Sequence, residues 1–552
     1  MRPNGGPCKL STQSERSPTV RRVPRLTIAA VLLLALVLPA TAAGQAATPP
    51  VAPGPLPSPL VRGDWPDPDV TLIEGNLYAV ATSGGWAPTF RILRSTDLRG
   101  WTIAGSVFPR APGWTRDSFW APELAQLPAG GYALFYSAMP RRAWRTLADG
   151  TTAVDRGRRA RPWYCLGVAT AASPLGPWRD LGKPLRCTPR GTIDPTPVVD
   201  GGDLHLVYKE DGNAFGRPTP ILIQQLRADG RALLGEPREL IRNRTAWEGG
   251  VVEAPELVQR DGVWHMLYSG NLCCSPRCAY AVGAARAPQL TGPWTRHPGN
   301  PILRSGNGWR CPGHVSLLGD RVAFHAYRAG GFLAGRQLHV AALSFGADGW
   351  PAIGDGRPLP PTPGAVPTAF DDGFSGPLAP EWEWPVRRPV TARIAGGLRL
   401  RAGRGAGALA DAGVLARRLG SHRYTATAVL RRTALRGEAI AGLAVIRGGP
   451  FAVGGQAIGV AVGRDRVDTW QRGRRGYART RTRVRAVTPL VHLRVIAEGR
   501  RYRFAISTNG SSWFPLGGAR RGPVEETARI ALTVGGQRGA SAHFTRATLA
   551  ER

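Results

Sequence analysis

The stretch Asp64-Trp65-Pro66-Asp67-Pro68-Asp69-Val70 is an acidic, proline-rich turn that leads into an apolar run ending at Val80. Four related phrases follow, each leading into a strand-like run with a bend: Trp120-Ala121-Pro122-Glu123-Leu124, Ile193-Asp194-Pro195-Thr196-Pro197, Glu253-Ala254-Pro255-Glu256-Leu257 and Cys311-Pro312-Gly313-His314-Val315. Their prolines, at positions 68, 122, 195, 255 and 312, are separated by 54, 73, 60 and 57 residues. A period of this size, in units that lack helical patterns, is typical of a β-propeller.

The repeat has a second half, in which another strand ends in a turn that carries Gly and often Trp, as at Trp101, Trp178 and Trp294. The third and fifth units keep only degenerate versions of this turn. Five units of about sixty residues, each able to supply four strands, predict a five-bladed propeller over residues 63–356. An array of β-sandwiches is the main rival, but it gives no reason for repeats in register.

A second region follows a Pro-rich linker at residues 357–369. From residue 370 to 552 the proline–acid phrase is absent, and apolar and polar residues alternate, as in the run from His422 to Val429. Asn509-Gly510 is a strong hairpin signal. This region is predicted to be an antiparallel β-sandwich of the jelly-roll or lectin-like kind, so the whole chain is expected to be all-β.

The N-terminus reads as a targeting segment. Arg21, Arg22 and Arg25 precede an apolar run from Leu26 to Leu38, and Ala40-Thr41-Ala42 fits a cleavage site. Residues 1–43 are therefore predicted to be a signal peptide, with an uncleaved anchor as the alternative, and residues 44–62 a Pro/Ala-rich linker. We expect a secreted, extracellular protein with no membrane contact after cleavage.

Six cysteines remain once Cys8 leaves with the signal peptide. Cys165 and Cys187 flank one hairpin-like unit and could pair. The other four are Cys273, Cys274, Cys278 and Cys311. Their spacing superficially suggests a zinc cluster, but adjacent cysteines suit four-ligand zinc geometry poorly, so disulfides are favoured in an oxidising compartment.

The chain is strongly basic, with a formal net charge of +34. It has 69 arginines and only three lysines, at positions 9, 183 and 209. Because the arginines are spread over the whole chain and no nucleic-acid motif accompanies them, we read a compositional bias and expect no nucleic-acid partner. Loose adhesion to an anionic wall or an acidic polysaccharide stays open.

The acids of the repeat separate into two kinds. Those that follow the repeat proline (Asp69, Glu123 and Glu256) recur in several blades, which favours a structural role. Asp67, Asp194 and Glu253 precede it and break the pattern. Inner strands of a propeller start around the axis, so these three acids can converge on one pocket. Convergent carboxylates suit glycoside hydrolysis; the alternative is that such aspartates only form turns beside proline.

The order Pro-Asp-Pro-Asp, Trp-Ala-Pro-Glu, Ile-Asp-Pro-Thr and Trp247-Glu248-Gly249-Gly250-Val251-Val252-Glu253-Ala254-Pro255 resembles glycoside hydrolase family 43 over about residues 63–350. The resemblance implies a five-bladed propeller enzyme that inverts the anomeric centre, with acid and base ~6.5–9.5 Å apart. It also implies that Asp67 is the general base, Glu253 the general acid, and Asp194 the residue that modulates the pKa of the acid and orients it. The chain departs from the family in having Glu253-Ala254-Pro255 where Glu-Gly-Pro is usual.

Other residues receive roles from their position or from the resemblance. His314 matches a histidine that, in many arabinan-cleaving members, lies near an axial calcium ion or water cluster; an ordinary buried histidine is the alternative. We therefore expect no required cofactor, with calcium as an option. Trp86, Trp120 and Trp247 are predicted to stack on sugar faces. The C-terminal region resembles the concanavalin-like sandwich of many members, from Phe370-Asp371-Asp372-Gly373-Phe374 onward.

The resemblance implies a secreted hydrolase of arabinose- or xylose-containing plant polysaccharides or oligosaccharides. α-L-Arabinofuranosyl linkages are the first choice, and a β-xylosidase or a galactan-cleaving enzyme is the alternative. Two hypotheses of other classes remain, a catalytically silent sugar-binding propeller and a cationic wall-binding adhesin. We expect a monomer.

Overall fold

Each of the five sequence repeats forms one antiparallel sheet, which confirms the predicted propeller. The computed structural model describes residues 54–147, 149–155, 163–403, 409, 413–448, 455–473, 475–483, 488–524 and 527–552. The predicted signal peptide lies outside these residues. Within the part of the chain that is described, no helix has the length and apolar character needed to cross a membrane.

The blades follow one another along the chain, and each inner strand begins at the repeat phrase. The first blade contains β1 (Asp69–Ile73), β2 (Asn76–Val80), β4 (Thr89–Ser95) and β5 (Thr102–Phe108), while β3 (Trp86–Ala87) lies apart. The second contains β6 (Thr115–Gln126), β7 (Tyr132–Pro140), β10 (Cys165–Ala171), β11 (Arg179–Asp180) and β12 (Arg186–Cys187), beside a hairpin of β8 (Trp144–Thr146) and β9 (Thr152–Val154).

The remaining three blades have four strands each. The third contains β13 (Thr192–Asp200), β14 (Asp203–Glu210), β15 (Ile221–Leu226) and β16 (Leu233–Ile241). The fourth contains β17 (Val252–Arg260), β18 (Val263–Gly270), β19 (Ala281–Ala287) and β20 (Thr295–Arg296). The fifth contains β21 (Trp309–Leu318), β22 (Arg321–Arg328), β23 (Arg336–Phe345) and β24 (Pro351–Ile353).

The residue before each repeat proline adopts a left-handed backbone conformation, although none of the five is glycine. The φ angles are 51° at Asp67, 43° at Ala121, 55° at Asp194, 51° at Ala254 and 57° at Cys311. In the second to fifth blades the ladder also shifts register at this point. Such bulges re-aim side chains, so the repeat phrase is a device that turns the start of each inner strand.

The C-terminal region is a two-sheet antiparallel sandwich, as expected from its alternating pattern. One sheet contains β25 (Phe370–Asp372), β27 (Thr391–Ile394), β28 (Leu398–Arg401), β30 (Arg423–Arg431), β35 (Leu490–Glu498), β36 (Arg501–Ser507), β37 (Phe514–Pro515), β38 (Arg520–Arg521) and β40 (Ser541–Glu551). The other contains β29 (Gly413–Arg418), β31 (Ile440–Arg447), β32 (Ala457–Val462), β33 (Arg466–Gly473), β34 (Gly476–Arg483) and β39 (Ala528–Gly535). Four 3-10 turns complete the described elements: Gly212–Phe215, Ala246–Glu248, Phe332–Ala334 and Arg432–Ala434.

The sandwich packs against the first blade of the propeller, and both belong to one structural unit spanning residues 46–552. The short strand β26 (Trp384–Pro385) pairs with β3 of the propeller. The two predicted linkers differ from expectation here, since Leu60 and Val61 are buried and Val61 bridges Val366. Parts of both linkers are therefore packed segments, because their apolar residues join a buried cluster with strands of the first and fifth blades.

The six cysteines form three disulfides, as the sequence favoured over a zinc cluster. Cys165 pairs with Cys187, Cys278 with Cys311, and the adjacent residues Cys273 and Cys274 with each other. The Cys278–Cys311 bond joins the fourth blade to the fifth. It lies in an apolar cluster with Tyr280, which matters for the site described next.

Candidate active site

Asp67 lies at the entry to the first blade with an ion pair to the fifth. Arg336 Nη1 donates to Asp67 Oδ1 at 2.7 Å, and Thr82 Oγ1 donates to Oδ2 at 2.7 Å. Burial alone would raise the pKa of Asp67, but Arg336 with His314, His325 and Thr82 lowers it to about 2. Asp67 is therefore a carboxylate at any working pH.

The two histidines near Asp67 are neutral at physiological pH, because burial lowers the pKa of both His314 and His325. The backbone N–H of Asp67 donates to His325 Nδ1 at 3.0 Å, which requires that nitrogen to be an acceptor. The 3.5 Å approaches of each Nδ1 to Asp67 Oδ1 are therefore not ion pairs at this pH. Arg336 supplies the compensating charge.

Asp194 occupies the same place in the third blade that Asp67 occupies in the first. Its backbone N–H donates to Ser137 Oγ of the second blade at 3.2 Å, and its Oδ2 accepts the N–H of Ala254 at 3.0 Å. Burial, and then the charge of Glu253, raise the pKa of Asp194 well above its usual value. The structure thus holds Asp194 beside the fourth-blade phrase, in a form that keeps its proton.

Glu253 has a different set of partners. Lys209 Nζ lies 2.7 Å from Glu253 Oε2, and the Tyr280 hydroxyl donates to Oε1 at 2.8 Å. Lys209 is shared with Asp211 at 3.0 Å. Burial would lower the pKa of Lys209, but Glu253 and Asp211 raise it above the usual value, so this fully buried amine stays charged. Tyr280 in turn fits here only because residue 313 is a glycine, since a Cβ at that position would overlap the tyrosine ring.

Contacts through intermediate residues connect the three acids: Asp194 bonds the N–H of Ala254 beside Glu253, and Tyr280 and His325 lie between Glu253 and the backbone of Asp67. The charges of Glu253, Asp194 and Asp67 all raise the pKa of Tyr280. Those of Asp67 and Glu253 also act to raise the pKa of His314, although burial lowers it overall. Tyr280 also lies parallel to the ring of His325, with 5.9 Å between centroids.

The acids that follow the repeat proline form hydrogen bonds between neighbouring blades. Asp69 Oδ2 accepts the N–H of Leu124 at 2.8 Å, and its Oδ1 accepts the Ser316 hydroxyl at 3.0 Å. Glu256 Oε1 accepts the N–H of Leu317 at 3.2 Å, and Glu123 hydrogen-bonds to Asp69. Burial raises the pKa of Asp69 to about 6 and that of Glu256 to about 8. Contacts of this kind between neighbouring blades are what a structural role requires.

The residues around His314 do not fit a calcium ion. Calcium prefers six to eight oxygen ligands, whereas His314 Nδ1 faces one carboxylate that Arg336 already neutralises. In the described residues, no group of three or more His, Cys, Asp or Glu side chains is arranged to hold a metal. His314 instead uses its backbone N–H to bond Ser269 Oγ at 2.9 Å.

The three predicted sugar-stacking tryptophans have different surroundings. Trp120 is half-buried, pairs with Ser137 and stacks on Tyr164 at 3.9 Å, next to the support of Asp194. Trp247 lies against Gly270 and Gly283 of the fourth blade, and its sugar contact stays a prediction.

The prediction for Trp86 is wrong, because the structure buries its ring. Trp86 is 1% exposed, belongs to a cluster with Trp470 of the sandwich, and donates from Nε1 to Gly448 O at 3.3 Å. A ring enclosed in this way has no face left for a sugar. It serves as a contact between the two domains.

Sequence reasoning missed Lys209, Tyr280, Arg336, His325 and Thr82 as members of the site. Lys209 carried a usable signal, since a chain with 69 arginines keeps a lysine here. Arg336 carried none, because it lies 269 residues from Asp67 and reaches it only where the fifth blade meets the first. Tyr280 carried none, because only the pairing of strands within the fourth blade brings its hydroxyl to Glu253.

Comparison with protein families agrees with this geometry. The model of glycosyl hydrolases family 43 matches residues 56–351. The chain belongs to this family. It is a glycoside hydrolase, and the model of the beta-xylosidase C-terminal concanavalin A-like domain matches residues 371–528.

The relatives of this family 43 chain are named as arabinanases or as xylosidases. The chain is 26% identical over 285 residues to an extracellular endo-alpha-(1->5)-L-arabinanase of Bacillus subtilis, a match that covers 48% of the chain and 80% of the relative. The chain is also 23% identical over 384 residues to a beta-xylosidase of Formosa agariphila, a match that covers 59% of the chain and 58% of that relative. The solved xylan beta-1,4-xylosidase of Bacillus halodurans superposes with a TM-score of 0.72 at 20% identity, covering 90% of the chain and 100% of that structure. The structural likeness supports the two-domain fold.

Proposed function

We propose that the protein is a secreted, inverting hydrolase of arabinose- or xylose-containing plant polysaccharides or oligosaccharides, with α-L-arabinofuranosyl linkages as the first substrate. The observation that carries the proposal is the contrast between two buried aspartates at equivalent positions. Arg336 keeps Asp67 ionised, while burial and Glu253 keep Asp194 protonated. Environments that separate neighbouring carboxyl groups in this way mark acid–base sites.

Asp67 acts on water. Its carboxylate is an acceptor at all working pH values, with Arg336 and Thr82 each holding one oxygen. A water bound to it is oriented towards the anomeric carbon and loses its proton as the new bond to carbon forms. Because Arg336 withdraws charge from Asp67, binding and orientation of that water contribute more than basicity does.

Glu253 acts on the leaving group. In its protonated form, Glu253 gives its proton to the glycosidic oxygen while the bond from that oxygen to the anomeric carbon breaks. Lys209 and the Tyr280 hydroxyl, at 2.7 and 2.8 Å, then stabilise the carboxylate that remains. Protonated Asp194 bonds the N–H of Ala254, next to Glu253, and so fixes the turn that aims the acid.

The arabinofuranosyl choice rests on the arabinanase relative, whose match falls on the propeller and covers most of that protein. A β-xyloside is the second candidate, because the sandwich matches a domain named for beta-xylosidases and 90% of the chain superposes on a xylan beta-1,4-xylosidase. Secretion is supported by the three disulfides and by the extracellular relative.

The test separates the roles of the acids by leaving group. A nitrophenolate needs little protonation, so Glu253→Ala should lose far more activity on arabino- or xylo-oligosaccharides than on nitrophenyl glycosides. Asp67→Ala should lose roughly a thousandfold or more on both. Glu256→Gln, three residues along the same strand, is the matched control and should stay near wild type on each.

The substrate is identified by incubating wild type with arabinan, arabinoxylan, galactan and the matching nitrophenyl glycosides. Proton NMR of the first product reports the anomeric configuration. If wild type and both variants are equally inert while sugar still binds, the enzyme proposal fails and a silent sugar-binding propeller replaces it. Binding to anionic polymers that disappears with salt would instead favour an adhesin.

A further inference from the structure

A buried arginine of the sandwich reaches the segment that carries the catalytic base. Arg529, on β39, has its Nη2 3.2 Å from Oδ2 of Asp64, a residue 465 positions earlier in the chain. Its Nε bonds Glu383, which precedes β26. All three side chains are at least nine-tenths buried, and the guanidinium is held between two carboxylates from different parts of the molecule.

Asp64 in turn clamps the backbone that presents Arg336. Its Oδ1 accepts the N–H of Arg336 at 3.1 Å, and the N–H of Trp65 donates to the carbonyl of Arg336 at 2.7 Å. Gly335, just before Arg336, has φ of 79°, and a Cβ there would overlap the Asp64 carboxyl group. The position of Arg336 therefore depends on the position of Asp64.

A continuous set of polar contacts thus runs from the sandwich to Asp67. It passes from Glu383 to Arg529, Asp64, the backbone of Arg336, and the Arg336 guanidinium that bonds Asp67 Oδ1 at 2.7 Å. Glu383 is anchored at its other oxygen by Arg91 of the first blade at 2.7 Å. The sandwich is therefore tied to the base by charge as well as by apolar packing.

We propose that Arg529 is a positioning residue for the catalytic base, through which the C-terminal sandwich sets the geometry of the Arg336–Asp67 pair. This rests on the proposed hydrolytic function. A buried carboxylate that loses its cation is destabilised strongly, so Asp64 without Arg529 moves or takes up a proton. Either change breaks the hydrogen bond from the N–H of Arg336 to Asp64 and weakens the contact of the Arg336 guanidinium with Asp67.

The other charged groups around Asp67 come from several blades. His314 and His325 belong to the fifth blade with Arg336, Asp194 to the third, and Tyr280 to the fourth. Asp194 and Tyr280 supply no positive charge, and His314 and His325 lower the pKa of Asp67 less than Arg336 does. A weakened Arg336 contact therefore removes the largest stabilising charge, and the acid limb of the kcat/KM profile should move to higher pH.

The experiment compares Arg529→Met, Arg529→Lys and the double variant Asp64→Asn/Arg529→Met in the full chain. The matched control is Arg546→Met, which removes an exposed sandwich arginine from Asp371. We expect Arg529→Met to lower kcat/KM at least tenfold and to raise the acid-limb pKa by about one unit. Arg529→Lys should recover part of both, and Arg546→Met should change neither.

The double variant tests whether Arg529 acts through Asp64. It removes both charges, so it should lose no more activity than Arg529→Met alone. A crystal structure of Arg529→Met gives an answer that needs no activity, because the Arg336–Asp67 contact should lengthen beyond hydrogen-bond distance. The proposal is overturned if that contact persists, or if an active enzyme keeps its acid limb while only its melting temperature falls. An inert wild type sinks the proposed function, and the crystal structure still decides the positioning role.

Discussion

Lys209 Nζ lies 2.7 Å from Glu253 Oε2, in a chain that has 69 arginines and only three lysines. The amine is fully buried and divides its charge between Glu253 and Asp211. An ammonium group is compact and can rotate its donors, whereas a guanidinium is planar and larger. This difference suits a lysine to the space between the carboxylates of Glu253 and Asp211.

Replacing this cation should slow the chemical step. Lys209→Met keeps the length of the side chain but leaves the carboxylate formed at Glu253 without its ion-pair partner. We expect kcat to fall about a hundredfold on oligosaccharides, with a smaller loss on nitrophenyl glycosides. Steady-state kinetics on both substrate types measures the difference. Lys183→Met, at the other lysine of the described residues, should leave both values unchanged.

The Tyr280 hydroxyl should also contribute to activity, because it bonds the other oxygen of the Glu253 carboxyl group. Tyr280→Phe keeps the ring against Gly313 and His325 but removes the donor to Glu253 Oε1. We expect kcat/KM to fall roughly tenfold, the usual effect of losing a hydrogen bond to a charged group. Tyr268→Phe is the control, because that hydroxyl bonds Glu248 of the same blade at 2.9 Å. Equal losses in both variants would contradict a specific role for Tyr280.

Trp86 and Trp120 should differ in what their removal damages. Trp86→Ala opens a cavity between the domains and should cost about 3–5 kcal/mol of unfolding free energy, measured by urea denaturation. Trp120→Ala should raise KM several-fold with little loss of stability, since Trp120 is half-buried and pairs with Ser137, which accepts the N–H of Asp194. A normal KM in Trp120→Ala would remove it from the sugar site.

The acids between the blades should make stability depend on pH. Burial raises the pKa of Glu256 from 4.5 to about 8, so the folded protein keeps a proton that the unfolded chain releases. This contribution is complete below pH 4.5 and is lost as the pH rises through about 8. Relative to wild type, Glu256→Gln should therefore gain roughly 1–3 kcal/mol between pH 5 and pH 8.

Urea unfolding at the two pH values checks this prediction. Glu498→Gln, on an exposed sandwich residue, should track wild type at both. A constant difference between wild type and Glu256→Gln would show that Glu256 is ionised in the folded protein throughout.

The repeat phrase was sufficient to predict five blades and to separate two kinds of acid. Its prolines recur with a period that only stacked, similar units explain, and the acids that break the pattern proved to lie together. The backbone conformation before each proline was not predictable. The left-handed φ at Asp194 coincides with a register shift at the strand entry, which depends on the neighbouring strand, and Asp67 adopts a similar φ before a regular ladder.

The tryptophans show where local sequence fails. Trp86 and Trp120 are both followed by Ala-Pro, and nothing nearby in sequence says that a second domain covers one of them. Trp86 is buried because β26 pairs with β3 across nearly three hundred residues of chain. Burial by a distant segment is a tertiary property, so the stacking role predicted for Trp86 was wrong.

The sequence by itself determined the all-β architecture, the two domains, the family resemblance and the three acids, because repeats, alternation and motifs are local patterns. Only the tertiary structure decided which groups control those acids. Arg336, Lys209, Tyr280 and Arg529 come from separate blades and from the sandwich, and electrostatic control depends on distances of 3 Å or so between residues far apart in the chain. Asp67, in the opening phrase, stays ionised because Arg336 of the last blade supplies its counter-charge.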